Sequence, residues 1–190
     1  MNEPRPEGAE RTRLEPVALA LTVFGGSLRL IPHPWNFAPA GSVSLFAGSR
    51  LRGWQAYLVP IVLMAVTDPL RVMIFHPVHP AFSAGTPVIY GSLLISVWIG
   101  RRWLQNLSVA RVAAAASVVS LQFFLITNTA EWLLTGTYPH TAAGLLACFV
   151  AAIPFFGNTL ASDLLYSGLF FGLYAWTRRV TEGARALAAK

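Results

Sequence analysis

The sequence carries few ionisable side chains away from its ends, and three of them are carboxylates embedded in apolar runs. These are Asp68, Glu131 and Asp163. A charge at membrane depth is costly, and such residues usually face the interior of a helix bundle or a water-filled cavity. The three carboxylates are therefore candidates for ligand binding or for acid–base chemistry.

The cassette RLIPHPWNFAP, residues 29–39, places a cation, an imidazole, an indole and an amide in one short segment. Its candidate ligand-binding side chains are those of Arg29, His33, Trp35, Asn36 and Phe37. Because its prolines restrict the backbone, these side chains are expected to be held in a fixed arrangement. The alternative is a rigid turn at the membrane interface that is anchored by the indole.

Structural explanations compete with the functional one for each charged group. Asp68 and Arg71 are three residues apart on one predicted helix, so they can simply pair with each other. Asp163 lies deeper and is the best single candidate for a functional contact, although a buried pair with Arg29 is an alternative. Glu131 lies near the end of its span, where its side chain can reach out to water.

Amide and aromatic side chains at similar depth complete the predicted site. Asn128 and Asn158 are the amides, and Asn158 can instead cap a helix that starts after the segment IPFF. The aromatic residues expected to line the site are Trp35, Phe37, Tyr90, Trp132 and Tyr138. Ligand pockets are mostly apolar with a few placed polar groups. A zwitterionic or mixed polar and aromatic ligand fits this composition better than a bare anion.

Several familiar chemistries find no motif in the sequence. His76 and His79 in HPVHP are three residues apart, but the prolines forbid a regular helix there and no HExxH or Cys/His cluster accompanies them. No Gly-rich phosphate loop and no Ser/His/Asp signature is present. The sequence therefore predicts no metal, no cofactor and no catalytic motif. If the protein moves a substrate uphill, it does not hydrolyse ATP itself.

The composition indicates a membrane protein. The chain has 190 residues, of which 55% are hydrophobic and only 12% are charged, against about 25% charged in soluble domains. The apolar runs are continuous, which favours an all-α, polytopic helix bundle over a β-barrel. The formal charge of +6 comes from basic residues at helix ends. That distribution fits the positive-inside pattern of membrane proteins better than nucleic-acid binding.

About six transmembrane helices are predicted. The predicted segments are about 15–31, 39–48, 54–75, 86–100, 109–134 and a long last region, 141–176. The second is too short for a full crossing unless it begins inside the preceding loop. The last region is too long for one span, and it is interpreted as a short helix, a break at 154–157 and then a full span.

The arginine distribution sets the predicted orientation. Basic residues cluster near residues 5–13, 50–52, 101–111 and 178–190, and placing these clusters in the cytoplasm makes both termini cytoplasmic. The helix at 141–153 must then be re-entrant or lie on the outer side. The polar candidates all fall in the extracytoplasmic half. No cleavable signal peptide is apparent, and the predicted parts are a disordered cytoplasmic tail (1–14), one transmembrane helical domain (15–178) and a basic cytoplasmic tail (179–190).

The first predicted span also carries small residues at every fourth position, namely Ala18, Thr22 and Gly26. Such a stripe allows another helix to approach closely. That helix can belong to the same bundle. The functional alternative is that the stripe docks to another membrane subunit.

Four segments carry a family resemblance: PHPWNFAPAGSVSLFAG, TDP, ITNTAEWL and AAIPFFGNTLASDLLY. Through them the chain, from about residue 15 to 178, resembles an uncharacterised family of small bacterial integral membrane proteins. That family is in turn similar to the S components of energy-coupling-factor (ECF) transporters, which bind the substrate. The similarity rests on size, six spans, cytoplasmic termini and a small-residue first helix.

The resemblance implies a mechanism. An S component binds a vitamin, a metal ion or another micronutrient from the outer side. It then topples in the membrane while docked to a separate transmembrane coupling subunit, which two ATPases drive. Docking would use the small residues of the first helix, although Ala18, Thr22 and Gly26 depart from a strict alanine pattern.

The leading hypothesis is thus a substrate-capture subunit of the bacterial inner membrane. Its expected partners are a small-molecule substrate, membrane lipid, and a coupling subunit with its ATPases, but no nucleic acid. One alternative is an intramembrane enzyme that uses His33, Glu131 or Asp163 as acid or base. Another is a membrane scaffold without a ligand.

Overall fold

The computed structural model of the protein describes residues 7–75 and 80–188, with side chains described from residue 14 onward except at 185. Six α-helices and one short 3₁₀ helix make up this part of the chain, and no strand occurs in it. The helices are α1 (Glu7–Ser27), α2 (Ala40–Arg50), α3 (Gln55–Phe75), α4 (Thr86–Trp103), α5 (Val109–Leu134) and α6 (Ala142–Ala188); the 3₁₀ helix is Leu28–Leu30. The predicted all-α class is confirmed.

Three helices are long and apolar enough to cross a membrane. They are α3, α5 and α6, with mean hydropathies of 1.9, 1.9 and 1.8 over their most apolar stretches. Only 17–28% of the residues in these stretches are buried inside the bundle. Apolar residues that face outward over such lengths are expected to contact lipid, so the fold is that of a membrane protein.

The short helix α2 lies at the centre of the bundle. Residues 42–49 are all buried, and α2 contacts each of the other five helices. Its small side chains permit close packing, since a Cβ atom at Gly48 would collide with the carbonyl oxygen of Val97 on α4. Phe46 fills the far side of α2, with its ring centroid 5.1 Å from that of Phe171 on α6.

Helix α6 is continuous, which corrects the predicted break at residues 154–157. The helix runs for 47 residues through Pro154, about 70 Å of axial length. A proline removes one backbone hydrogen bond, and a helix in lipid tolerates that loss more easily than an unpaired loop. The segment at 141–153 is therefore the first part of α6 rather than a separate re-entrant helix.

The N-terminal segment differs from its predicted disorder, while for the basic C-terminal segment only a cytoplasmic location was predicted. Helix α1 already begins at Glu7, within the segment 1–14 that was expected to be disordered. Helix α6 continues to Ala188, so most of the basic segment 179–190 is helical.

The small-residue stripe of α1 packs inside the bundle. Ala18 and Thr22 have no exposed surface, and a Cβ atom at Gly26 would lie 2.8 Å from the Leu63 side chain on α3. The predicted docking face is therefore wrong for this structure, because the chain's own helices cover the stripe. The packing alternative accounts for Ala18, Thr22 and Gly26.

Candidate functional site

A cleft of about 660 Å³ opens at the end of the bundle where the segment 28–39 meets α3 and α4. We call it the polar cleft. Seven of the residues predicted from sequence line it: Arg29, His33, Trp35, Asn36, Asp68, Tyr90 and Asp163. Its volume lies in the range of ordinary small-molecule sites, about 300–1,000 Å³.

A salt bridge between the 3₁₀ helix and α3 forms one wall of the polar cleft. Arg29 is only 6% exposed, and its guanidinium donates to the Asp68 carboxylate at 2.7 Å and to the Thr67 hydroxyl at 2.6 Å. The Tyr90 hydroxyl of α4 donates to the other Asp68 oxygen at 2.8 Å. Three segments are thereby joined through one carboxylate.

Two alternative pairings are corrected by this geometry. Asp68 pairs with Arg29 across 39 residues of sequence, rather than with Arg71 on its own helix. Because Arg29 is committed to Asp68, the alternative pair between Arg29 and Asp163 does not form either. Among the residues that the structure describes, Arg71 has no hydrogen bond and no salt bridge.

Three buried nitrogen atoms that line the polar cleft lack partners within the described chain. They are Nε of Arg29, Nε2 of His33 and Nε of Arg71. Buried polar atoms in folded proteins are nearly always satisfied by protein, water or ligand. Their concentration around one cleft indicates a place where a polar molecule completes the hydrogen bonding.

The tautomer of a neutral His33 ring follows from its local contact. Its Nδ1 lies 2.9 Å from the carbonyl oxygen of Pro34, and a carbonyl can only accept, so Nδ1 carries the hydrogen. In the neutral ring, Nε2 is then an acceptor. The polar cleft thus offers N–H donors from the two arginines and an acceptor from the histidine.

Asp163 is buried at the meeting point of α2, α5 and α6. It is 2% exposed, and its carboxylate accepts from the Ser42 hydroxyl at 3.0 Å and from the Ser120 hydroxyl at 2.8 Å. A Cβ atom at Gly41 would lie 2.5 Å from the carboxylate, so the first turn of α2 runs directly beside it. The positive end of the α2 dipole and two hydroxyls support this group.

Helix α6 holds the proline-rich loop of the cassette in place. The Asn158 amide donates to the Trp35 carbonyl at 2.9 Å, and the Ser162 hydroxyl donates to the Ala38 carbonyl at 2.9 Å. Asn36 adopts a φ of 59°, a left-handed conformation that asparagine accepts more readily than most residues. These hydrogen bonds join the loop to α6, and Asn158 binds the loop instead of capping a new helix.

The loop leaves its indole exposed and turns its phenyl ring inward. Trp35 is 72% exposed at the rim of the cleft. Phe37 points away from the cleft and packs against Tyr166 of α6, with ring centroids 6.0 Å apart.

The remaining predicted residues lie outside the polar cleft, near the α5–α6 turn. The Asn128 amide donates to a carbonyl of its own helix at 2.8 Å. The Trp132 indole donates to the Pro139 carbonyl at 2.8 Å. Glu131 is exposed, as its alternative interpretation expected, and Tyr138 does not line the cleft. These side chains hold or flank the turn.

Several lining residues were missed by the sequence analysis, although helical spacing points to them. On α4 the cleft is lined by Thr86, Ile89, Tyr90 and Leu93, and on α3 by Met64, Asp68, Arg71, Val72 and Phe75. Both sets follow the spacing of three and four residues that marks one face of a helix. Extending the faces of Tyr90 and Asp68 along their helices would have found them.

Among the residues with described positions, no group of three or more His, Cys, Asp or Glu side chains is arranged to hold a metal ion. His76 and His79 lie outside the described residues.

Comparison with known proteins yields one match. A family model with the description "family of unknown function (DUF6580)" matches residues 10–185. Neither the curated proteins nor the solved structures provide a match to the chain. Since the matched segment spans nearly the whole sequence, the protein belongs to this family of unknown function, DUF6580.

Proposed function

We propose that the protein is a membrane-embedded substrate-capture subunit for uptake of a vitamin-like or other small micronutrient, of the ECF S-component type. The observation that carries this proposal is the set of unpartnered buried nitrogens of Arg29, His33 and Arg71 around the polar cleft. A structural network would have paired these atoms within the protein, because each unpaired buried donor costs about 1–3 kcal/mol.

The chemistry of the polar cleft narrows the ligand class. The Arg29 guanidinium is paired with one Asp68 oxygen, and the Tyr90 hydroxyl donates to the other. The guanidinium still available to a ligand is therefore that of Arg71. Planar guanidinium groups bind carboxylates through paired hydrogen bonds. The proposed ligand therefore carries a carboxylate or similar acceptor for Arg71, a donor for His33, and an apolar or aromatic body that packs near Trp35.

The proposed topology has six crossings, with both termini in the cytoplasm. The arginine-rich helix ends at 50–52 and 101–102 lie at the opposite end of α2 and α4 from the polar cleft. Under the positive-inside rule those ends face the cytoplasm. The polar cleft then opens on the extracytoplasmic side, where a micronutrient arrives.

Transport would require a transmembrane coupling subunit and ATPases, since the sequence has no nucleotide-binding motif. The small residues of α1 are unavailable for that contact because they pack internally. In this proposal the coupling subunit contacts an outward-facing apolar surface, such as the α1 face that carries Val23 and Phe24, which are 42% and 52% exposed.

The same geometry bears on the two alternatives. An intramembrane enzyme that used Glu131 together with His33 or Asp163 would need both groups in one site, but Glu131 lies outside the cleft that the other two line. His33 and Asp163 share the cleft but have different partners: His33 Nδ1 lies against the Pro34 carbonyl, and the Asp163 carboxylate accepts from the Ser42 and Ser120 hydroxyls. A scaffold without a ligand would need its polar groups paired internally, and Arg71 is not. Ligand capture is the function that the polar cleft supports best.

The test replaces Arg71 with Gln and uses Arg179→Gln as the control, which removes the same charge from an exposed position on α6. Purified protein is screened by thermal shift against a panel of vitamins and carboxylate metabolites. At least one compound should raise the apparent Tm of the wild type and of the control. Its affinity should fall about tenfold or more in Arg71→Gln, since a hydrogen bond to a charged group contributes about 1.5–3 kcal/mol. Unchanged affinity in Arg71→Gln would remove the basis of the proposed site.

A further inference from the structure

A second cavity lies at the opposite end of α2 and is lined by arginines. It has a volume of about 870 Å³, and its polar lining includes Arg50, Arg52, Arg101, Arg102, Gln105 and Asn106. None of its lining residues is Asp or Glu. We call it the arginine cavity. Positive-inside orientation explains why arginines occur at these helix ends, but it does not require them to surround a common hollow.

The folding of two loops against each other builds the arginine cavity. The Ser49 hydroxyl and the Arg50 guanidinium at the end of α2 both donate to the carbonyl of Leu104, at 2.9 Å and 3.0 Å. Arg101 at the end of α4 donates to the carbonyl of Gly53 at 3.1 Å. These contacts join the end of α2 to the α4–α5 loop and the end of α4 to the α2–α3 loop, and they hold the arginines around one space.

The floor of the arginine cavity is fixed by packing. Leu51 and Leu104 are 5% and 0% exposed beneath it. The Arg50 guanidinium lies over the Tyr174 ring of α6, 5.2 Å from the ring centroid, which is within the range of a cation–π contact. Gly53 supplies the turn between α2 and α3 with a φ of +52°, a conformation that glycine adopts without strain.

The charge balance of the arginine cavity favours an anion. The ends of α2 and α4 contribute roughly one negative charge together through their dipoles, whereas the cavity is lined by four guanidinium groups. The lining side chains are thus strongly basic, and none of them is acidic. The start of α3 at Gln55 adds further positive potential beside Arg52.

Tryptophans mark the depth of the arginine cavity in the membrane. Trp98 lines the cavity and is 51% exposed, and Trp54 and Trp103 are 68% and 46% exposed near the same helix ends. Indole rings concentrate at the level of lipid headgroups. The mouth of the cavity is therefore expected at the depth of lipid phosphates.

We propose that the arginine cavity is a binding site for a phosphate-bearing anion, either the headgroup of an anionic lipid or a free phosphate compound. Guanidinium groups bind phosphate oxygens in pairs, and basic pockets between membrane helices on the cytoplasmic side suit acidic lipid headgroups. The site is separate from the polar cleft, since α2 lies between them. It does not depend on the proposed uptake function.

The test measures binding to the full-length protein in a nonionic detergent. The probes are short-chain phosphatidylglycerol, phosphatidylcholine with the same chains, and inorganic phosphate. Saturable binding of phosphatidylglycerol alone supports a lipid headgroup, and binding of inorganic phosphate as well supports a free phosphate compound. Absence of saturable binding by both phosphatidylglycerol and inorganic phosphate overturns the proposal.

Variants assign the binding to the arginine cavity. The double substitution Arg52→Gln with Arg102→Gln should weaken the wild-type affinity about tenfold or more, since two charge-assisted contacts are lost. The control Arg179→Gln, outside the cavity, should change it by less than about twofold. Replacement by Lys at positions 52 and 102 should restore part of the affinity, because charge returns without the paired geometry.

Equal weakening in the double variant and in Arg179→Gln would show that only overall charge matters and would overturn the site. If circular dichroism shows that the double variant fails to fold, Arg102→Gln alone decides, because Arg102 is an exposed residue. Unchanged affinity in that single variant overturns the proposal. A weakening of about threefold or more supports it.

Discussion

The substitution Asp68→Asn should destabilise the bundle by leaving a buried cation without its counterion. The Asp68 carboxylate accepts from Arg29 on one oxygen and from Tyr90 on the other. Asparagine keeps the shape of the side chain but loses the charge, and its amide can accept from only one of the two donors. Arg29 would remain almost fully buried with its charge uncompensated.

The burial of the pair sets the expected size of the effect. The side chains of Arg29 and Asp68 are 7% and 18% exposed, which places the pair close to the buried limit. Removing one partner of a buried ion pair costs about 3–5 kcal/mol, while a fully exposed pair contributes about 0–1 kcal/mol. Because asparagine preserves one hydrogen bond, we expect a loss of about 2–3 kcal/mol.

The assay is thermal unfolding in detergent, followed by tryptophan fluorescence. A loss of that size should lower the apparent Tm by roughly 4–12 °C, at about 2–4 °C per kcal/mol for a domain of this length. The matched control is Glu182→Gln, which removes one carboxylate from the exposed pair with Arg178, where the side chains are 47% and 52% exposed. That control should shift the Tm by no more than about 2 °C.

A double-mutant cycle separates the ion pair from other effects of the substitution. In the double variant Arg29→Gln with Asp68→Asn no isolated charge remains, so its loss of stability should fall short of the summed single losses by about 1 kcal/mol or more. Additive losses, or equal Tm shifts for Asp68→Asn and Glu182→Gln, would refute the reasoning that a buried charge pair holds α3 against the 3₁₀ helix.

Two further predictions concern packing and topology. Gly100→Ala should destabilise the protein by about 1–3 kcal/mol, since its Cβ atom would collide with a backbone carbonyl of α2. The control Gly91→Ala, on the same helix, places its Cβ atom where nothing lies within 4 Å, so it should be neutral or stabilising in the same thermal assay. Equal effects of the two substitutions would contradict the close crossing of α2 and α4. After the native cysteine is replaced by serine, Trp35→Cys should react with an impermeant maleimide from outside the cell, while Asn106→Cys should react only after permeabilisation. Labelling of both from one side would rule out the proposed orientation.

The positions of α2, α3 and α5 were predictable because their apolar runs have clear polar boundaries. The expected segment at 109–134 coincides with α5, and those at 39–48 and 54–75 differ from α2 and α3 by one or two residues. Proline misled the interpretation at 154, because its local preference against helix is overridden where lipid offers no partner for freed backbone groups.

Side-chain pairing was the less predictable part. The spacing of Asp68 and Arg71 indicated a local pair, but the structure pairs Asp68 with Arg29, which is remote in sequence. Likewise, the stripe at Ala18 gave no indication whether it faces its own bundle or another protein. Such choices depend on how helices are arranged around one another, and residue spacing within one helix carries no information about that arrangement.

The shortness of α2 leaves room in the bundle for both the polar cleft and the arginine cavity. Its 11 residues extend for roughly 16 Å, about half of the hydrocarbon thickness of roughly 30 Å. A full-length helix at the same place would fill the bundle axis from end to end, whereas α2 plugs only its middle and leaves one hollow above and one below. Helix α2 thus separates the polar cleft from the arginine cavity, and any movement of α2 along its own axis would enlarge one of them and reduce the other.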